Sequence, residues 1–139
     1  MGLQDEEFLQ SLEKLDVVSN LFGIFTANLT KMFTVFEGPM DSFLFPNSLA
    51  LCSLNNQFPF ELNNKRYFLD DDAAGRTKSL QLLGEGESVF LWKKFKRENN
   101  IKQTIKDLND LVIYLRVNNL KIQRLDKYFS DSKFDGIDI

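Results

Sequence analysis

Asp70, Asp71 and Asp72 stand side by side, and carboxylates are the residue type that gathers hard divalent cations or builds two-metal sites. In extended chain adjacent side chains point different ways, however, so three neighbours do not by themselves close on one ion. The sequence has no His to complete a ligand set and no second acidic motif at a predictable position opposite. The reading is a solvent-exposed acidic turn, with no metal site assigned; a carboxylate-metal enzyme centred on Asp70 to Asp72 ranks last among the functional readings. Nucleophiles fare no better. Triads and their variants need a base and an orienting partner, and none can be placed beside a Ser, a Lys or Cys52. Cys52 lies among Leu49, Leu51 and Leu54 and reads as an inert buried thiol. No catalytic residue and no cofactor is assigned, and the chain is read as a non-enzyme.

Two phosphate motifs fail on spacing. In Gly75-Arg76-Thr77-Lys78-Ser79 the Gly stands three residues before the Lys, where a phosphate loop needs it immediately before. Gly84-Glu85-Gly86 is half of a dinucleotide fingerprint, and the residues after Gly86 read as strand instead of helix. Asp131-Ser132-Lys133-Phe134-Asp135-Gly136 begins like a calcium loop, but Lys133 occupies a ligand position and the sequence reaches Ile139 before a twelfth residue. The segment from Phe90 to Arg97 mixes aromatics that could stack on bases with cations that could neutralise phosphates. Trp92, Lys93, Lys94, Lys96 and Arg97 are its candidate nucleic-acid contacts. Read as a strand, neither face is a pure aromatic platform, so a Lys-protected edge is the ordinary explanation and nucleic acid is an alternative partner, not the favoured one.

The elements that carry these residues are set by periodicity. Between Asp5 and Phe36 apolar residues recur at steps of three and four, and Phe8, Leu15, Phe22, Leu29 and Phe36 fall seven apart, which predicts an amphipathic helix over 5–36 stopped by Gly38-Pro39. Gly23 marks a place where it would break. From 42 to 97 Pro46, Pro59, paired Asn and Gly residues punctuate short apolar runs. Strands are expected near 48–54, 66–69, 79–83 and 88–95, the last two joined as a hairpin across Gly84-Glu85-Gly86. A helix or helix pair is expected over 100–129, with Val117-Asn118-Asn119 as the break, and a frayed acidic tail over 130–139. The expected fold class is α+β: long N-terminal and C-terminal amphipathic helices bracketing a small antiparallel β-sheet, as a single domain over 1–139.

Charge is unevenly spread. Residues 1–88 carry −7, residues 89–128 carry +6 and the tail −2, for the net −3. With 43% hydrophobic residues and 14 Phe the chain has ample apolar surface to fold. A single Cys, an acidic start and no apolar run near ~18 residues predict a soluble protein without membrane insertion, intracellular and either cytoplasmic or nuclear.

An unbroken 32-residue helix would be ~48 Å long, against a diameter of roughly 37 Å for a compact chain of this length. The preferred functional expectation is therefore a non-enzymatic interaction or scaffold subunit that associates through its helices, with itself or another protein. Its interface would comprise Phe8, Leu15, Phe22, Phe25, Leu29 and Phe36, faced by Leu108, Leu115 and Ile122.

Overall fold

The computed structural model describes residues 23, 26–52, 61–121 and 124–139. In chain order the elements are β1 (Phe33–Phe36), α1 (Pro39–Phe43), β2 (Ser48–Ala50), β3 (Lys65–Phe68), α2 (Ala73–Gly84), β4 (Ser88–Phe90), α3 (Trp92–Asn99) and α4 (Leu108–Val117). A 3-10 turn at Leu125–Tyr128, β5 (Phe129–Ser130) and a second 3-10 turn at Lys133–Asp138 complete them. The strands form one sheet in the order β2-β1-β3-β4-β5. β2, β1, β3 and β4 run parallel and β5 alone is antiparallel, pairing Phe90 with Phe129.

Parallel strands are covered on both faces, so they read as unbroken apolar runs instead of alternating ones. All four residues of β1, Phe33-Thr34-Val35-Phe36, are buried. The pleat then sorts them. Phe33, Val35, Leu49, Leu51, Tyr67, Leu69, Val89 and Leu91 join a core under α2 with Leu82, Leu83 and Ile139. Phe36, Ala50, Phe68 and Phe90 join a second core with Trp92, Phe95, Leu108, Leu111 and Leu115 of α3 and α4. Phe68 and Phe90, on neighbouring strands, stack with ring centroids 3.9 Å apart. The result is a sheet between two helical layers, mixed α and β.

Several expectations change. The sheet is mostly parallel instead of small and antiparallel, because two helical layers bury both of its faces. Residues 33–36 are strand, not the end of a helix over 5–36; in so short an apolar run the steps Phe33, Val35, Phe36 suit either period. Gly23, the expected break, stands at φ 86°. Residues 26–32 are turn and bend instead of helix, and the remainder of that helix expectation, residues 5–22, 24 and 25, lies outside the described residues, as do Phe8, Leu15, Phe22 and Phe25.

The expected hairpin is replaced by helix α2, turn and β4. Gly75, Ser79, Leu82 and Leu83 share a buried helical face, although 79–83 has the alternation of a strand. β4 ends at Phe90, and the basic-aromatic segment continues as α3, which Asn100 closes at φ 53°. Within 100–129 only Leu108–Val117 is α-helix among the described residues, and it ends where Asn118 caps it and Asn119 turns to φ 52°. The expected frayed tail instead pairs as β5 and coils so that Ile139 is 5% exposed. Cys52 is exposed, at φ 60°, not buried. Among the described residues no helix is long and apolar enough to cross a membrane.

Candidate metal centre

In an open parallel sheet the loops leaving the carboxyl ends of two neighbouring strands diverge to opposite faces where the strand order reverses, and a crevice opens between them. Here that point lies between β1 and β3. After β1 the chain enters α1, which packs toward α4; after β3 it enters α2 on the other face. The residues directly beyond the two strands are acidic: Glu37, then Asp41 in α1, and Asp70-Asp71-Asp72.

The three consecutive aspartates do three different things, because successive side chains diverge. Asp72 is the N-cap of α2 and accepts the backbone N–H of Gly75 at 2.7 Å. Asp71 turns to the fully buried ammonium of Lys96 and to Arg76, whose Nη1 lies 3.0 Å away. Asp70 is left facing the crevice, where its carboxylate meets those of Asp41 and Asp107. One oxygen from each of the three lies within 4.8 Å of the others. Asp107 arrives as the N-cap of α4, accepting the N–H of Asp110 at 2.7 Å, and Asp41 accepts the N–H of Asn109 at 2.8 Å. The N-terminus of α4 therefore holds two of the acids through its free backbone N–H groups.

Lys96 bolts the arrangement together. It lies one helical turn beyond Trp92, and both point inward: Trp92 Nε1 donates to the carbonyl of Leu69 at 2.8 Å. The Lys96 ammonium donates to Asp71 and to the carbonyls of Ile105 and Gln103. The Asp71 N–H in turn donates to the Lys106 carbonyl. The loop bearing Asp70 and the loop leading to Asp107 are thus tied by one buried cation and one backbone bond. Gly75 permits the approach of α2, since a Cβ there would sit 2.0 Å from the Asp70 carbonyl oxygen.

The electrostatics are lopsided. Burial pushes Asp70 up to about 7, with repulsion from Glu37, Asp41, Asp107 and Asp72 adding to it. Asp41 is pushed up to about 6, chiefly by burial and further by Asp107, Asp110 and Glu37, against the lowering effect of the Asn109 N–H. Burial also raises Glu37, although the Asp70 N–H donates to its Oε2 at 2.8 Å. The cations on this edge, Lys96 and Arg76, are committed to Asp71. Asp41, Asp70 and Asp107 have no cationic partner among the described residues.

Such a set suits a hard cation. Two oxygens on one ion lie at most twice the metal–oxygen distance apart, about 4.2 Å for Mg²⁺ and roughly 4.6–5.2 Å for Ca²⁺. The three oxygens, within 4.8 Å of one another, stand near these limits, and a modest contraction, which neutralising the mutual repulsion would favour, brings them onto either ion.

Of the residues singled out from sequence, the structure brings Asp70 into this cluster and directs Asp71 and Asp72 away from it. Sequence reasoning misses Asp41, Asp107 and Glu37. The available signal is an acidic residue just past each of two apolar runs, Phe36-Glu37 and Leu69-Asp70, which marks carboxyl ends of parallel strands once those runs are recognised as strands.

The other candidates are dispersed. Trp92 and Lys96 are buried, Lys93 and Arg97 are exposed, Lys94 is intermediate, and Arg97 pairs with Asp138 at 3.0 Å. They share no exposed face. Of the expected interface residues, Phe36, Leu108 and Leu115 belong to the core and Leu29 packs on it, while Ile122 lies outside the described residues. No protein-family model and no curated protein sequence matches the chain.

Proposed function

We propose that the chain is a divalent-cation-dependent binding module in which Asp41, Asp70 and Asp107 hold the ion at the carboxyl edge of the sheet. A six-coordinate ion held by three carboxylate oxygens keeps positions for water and for oxygens of a ligand. Bare, the cluster repels anions; with the ion in place it accepts an oxygen-rich anionic ligand, of which a phosphate ester is the simplest. Glu37, the next carboxylate along the crevice, is the group to take a proton from ion-bound water if the ligand is also turned over. The observation that carries this reading is the convergence of three carboxylates, from three separate segments, to within 4.8 Å at the crevice between β1 and β3.

Calorimetric titration with Mg²⁺, Mn²⁺ and Ca²⁺ tests it. One ion per chain is expected on the alkaline side of Asp70's value of about 7, with affinity falling on the acid side of Asp41's value of about 6 as protons compete. Absence of binding by all three ions on the alkaline side refutes it.

A second reading, the interaction subunit, draws on a different observation: Met40 and Phe43 of α1 are 63% and 69% exposed. Under that reading Phe43→Asp lowers the mass found by light scattering. An unchanged mass would remove α1 as the contact.

A further inference from the structure

A second concavity lies away from the acidic edge, between α1 and its following loop, the start of β3 and the first turns of α4. It encloses about 650 Å³ and its walls are mostly apolar, with Met32, Leu44, Phe45 and Val112 among them. Pockets for small organic ligands fall in the range of roughly 300–1,000 Å³ and combine such walls with a few fixed polar groups. Here the fixed polar group is Arg66. Its side chain is 16% exposed, and Nε donates to Thr34 Oγ1 at 3.0 Å. The guanidinium lies 4.1 Å from the centroid of the Phe129 ring and 5.5 Å from that of Phe45. Asn47, also on the wall, is occupied elsewhere, its amide bridging Asn28 and Met32.

We propose that this groove binds a small apolar carboxylate, its hydrocarbon against the walls and its carboxylate on Arg66. One oxygen of Asp126 already sits 2.7 Å from Arg66 Nη2, which shows that a carboxylate fits there. Asp126 is 70% exposed and so exchanges cheaply, because an ion pair reaching into solvent contributes little. Nη1 makes no hydrogen bond to the described residues, so an incoming carboxylate can take both ends of the fork where Asp126 takes one. Asp126 thereby acts as a built-in competitor, and its removal should help the ligand.

The test is a titration of the full chain with decanoate and with decanol in the presence of a chelator. Decanoate should bind once per chain and more tightly than decanol. Arg66→Gln should weaken decanoate at least tenfold and leave decanol unchanged, whereas Asp126→Asn, a surface change that spares the fold, should tighten decanoate several-fold. The proposal is overturned if decanoate does not bind, if decanol matches it, or if Asp126→Asn leaves its affinity unaltered. Asp70→Asn should not affect either ligand, so the outcome is separate from that of the cation site.

Discussion

Asp70 carries the largest electrostatic burden among the described residues that has no cation to relieve it. A carboxyl whose folded value is raised to about 7, from about 3.9 in the unfolded chain, stabilises the fold only while protonated. That contribution is fully present below the unfolded value and is lost progressively from about pH 4 up to the folded values of about 6 for Asp41 and about 7 for Asp70. The groups facing them are Glu37, Asp72, Asp107 and Asp110, all acidic, with Lys96 and Arg76 held by Asp71. In a chelator the melting temperature should therefore fall as pH is raised through this window, and Mn²⁺ should restore it. Asp70→Asn should flatten the profile and raise the alkaline melting temperature of the cation-free chain, each ~1 kcal/mol of relief being worth roughly 4 °C in a chain this size. A profile that the variant leaves unchanged would mean that Asp70 does not feel its neighbours. Lys96 is the opposite case, a buried charge with every donor used. Lys96→Met leaves Asp71 with the half-exposed Arg76 as its one cation and strands two carbonyls, so a urea titration should show a loss of about 3 kcal/mol, while a loss within error would show that the tie is dispensable.

At the scale of elements the site depends on how closely α2 approaches the loop that precedes it. Gly75→Ala puts a methyl group into the Asp70 carbonyl at 2.0 Å, so either α2 or the loop must move. The expected cost is about 2 kcal/mol by urea unfolding, with weaker cation binding alongside it. Equal stability and affinity would show that the contact relaxes freely. Element type was legible in part. The Asn-rich end of α4 could be read because Asn118 and Asn119 are poor helix formers with an acceptable left-handed state. β3 was legible near 66–69 from the compact apolar run Tyr67-Phe68-Leu69 between paired Asn residues and Asp70, and the strand spans Lys65–Phe68. α2 was not, because Ser79-Leu80-Gln81-Leu82-Leu83 alternates like a strand while also placing Ser79, Leu82 and Leu83 on one helical face. The helical reading is decided by the Asp72 cap several residues earlier.

For the whole molecule, the decisive fact was hidden from any local reading: which strand ends lie beside each other. An antiparallel hairpin would have sent the chain back along β3 after Phe68 and scattered Glu37, Asp41, Asp70 and Asp107. A parallel order with its reversal between β1 and β3 collects them on one edge, although they are spread over seventy-one positions from 37 to 107. The same burial of both sheet faces takes Phe36, Leu108 and Leu115, which read as free seams, into the core. Divergence of adjacent aspartates was foreseeable from backbone geometry; their new neighbours were not, since they come from tertiary pairing.

The sole tryptophan supplies a local reporter for the central claim. Trp92 hydrogen-bonds the carbonyl of Leu69, the residue before Asp70, so an ion held by Asp41, Asp70 and Asp107 lies close to its indole. Terbium, a luminescent stand-in for Ca²⁺, should give emission sensitised through tryptophan that saturates at one ion per chain, is displaced by Ca²⁺, and disappears in the Asp70→Asn, Asp107→Asn double variant with its fold intact. Sensitised emission that persists in that variant, or none in the natural chain on the alkaline side of Asp70's value of about 7, would contradict the account.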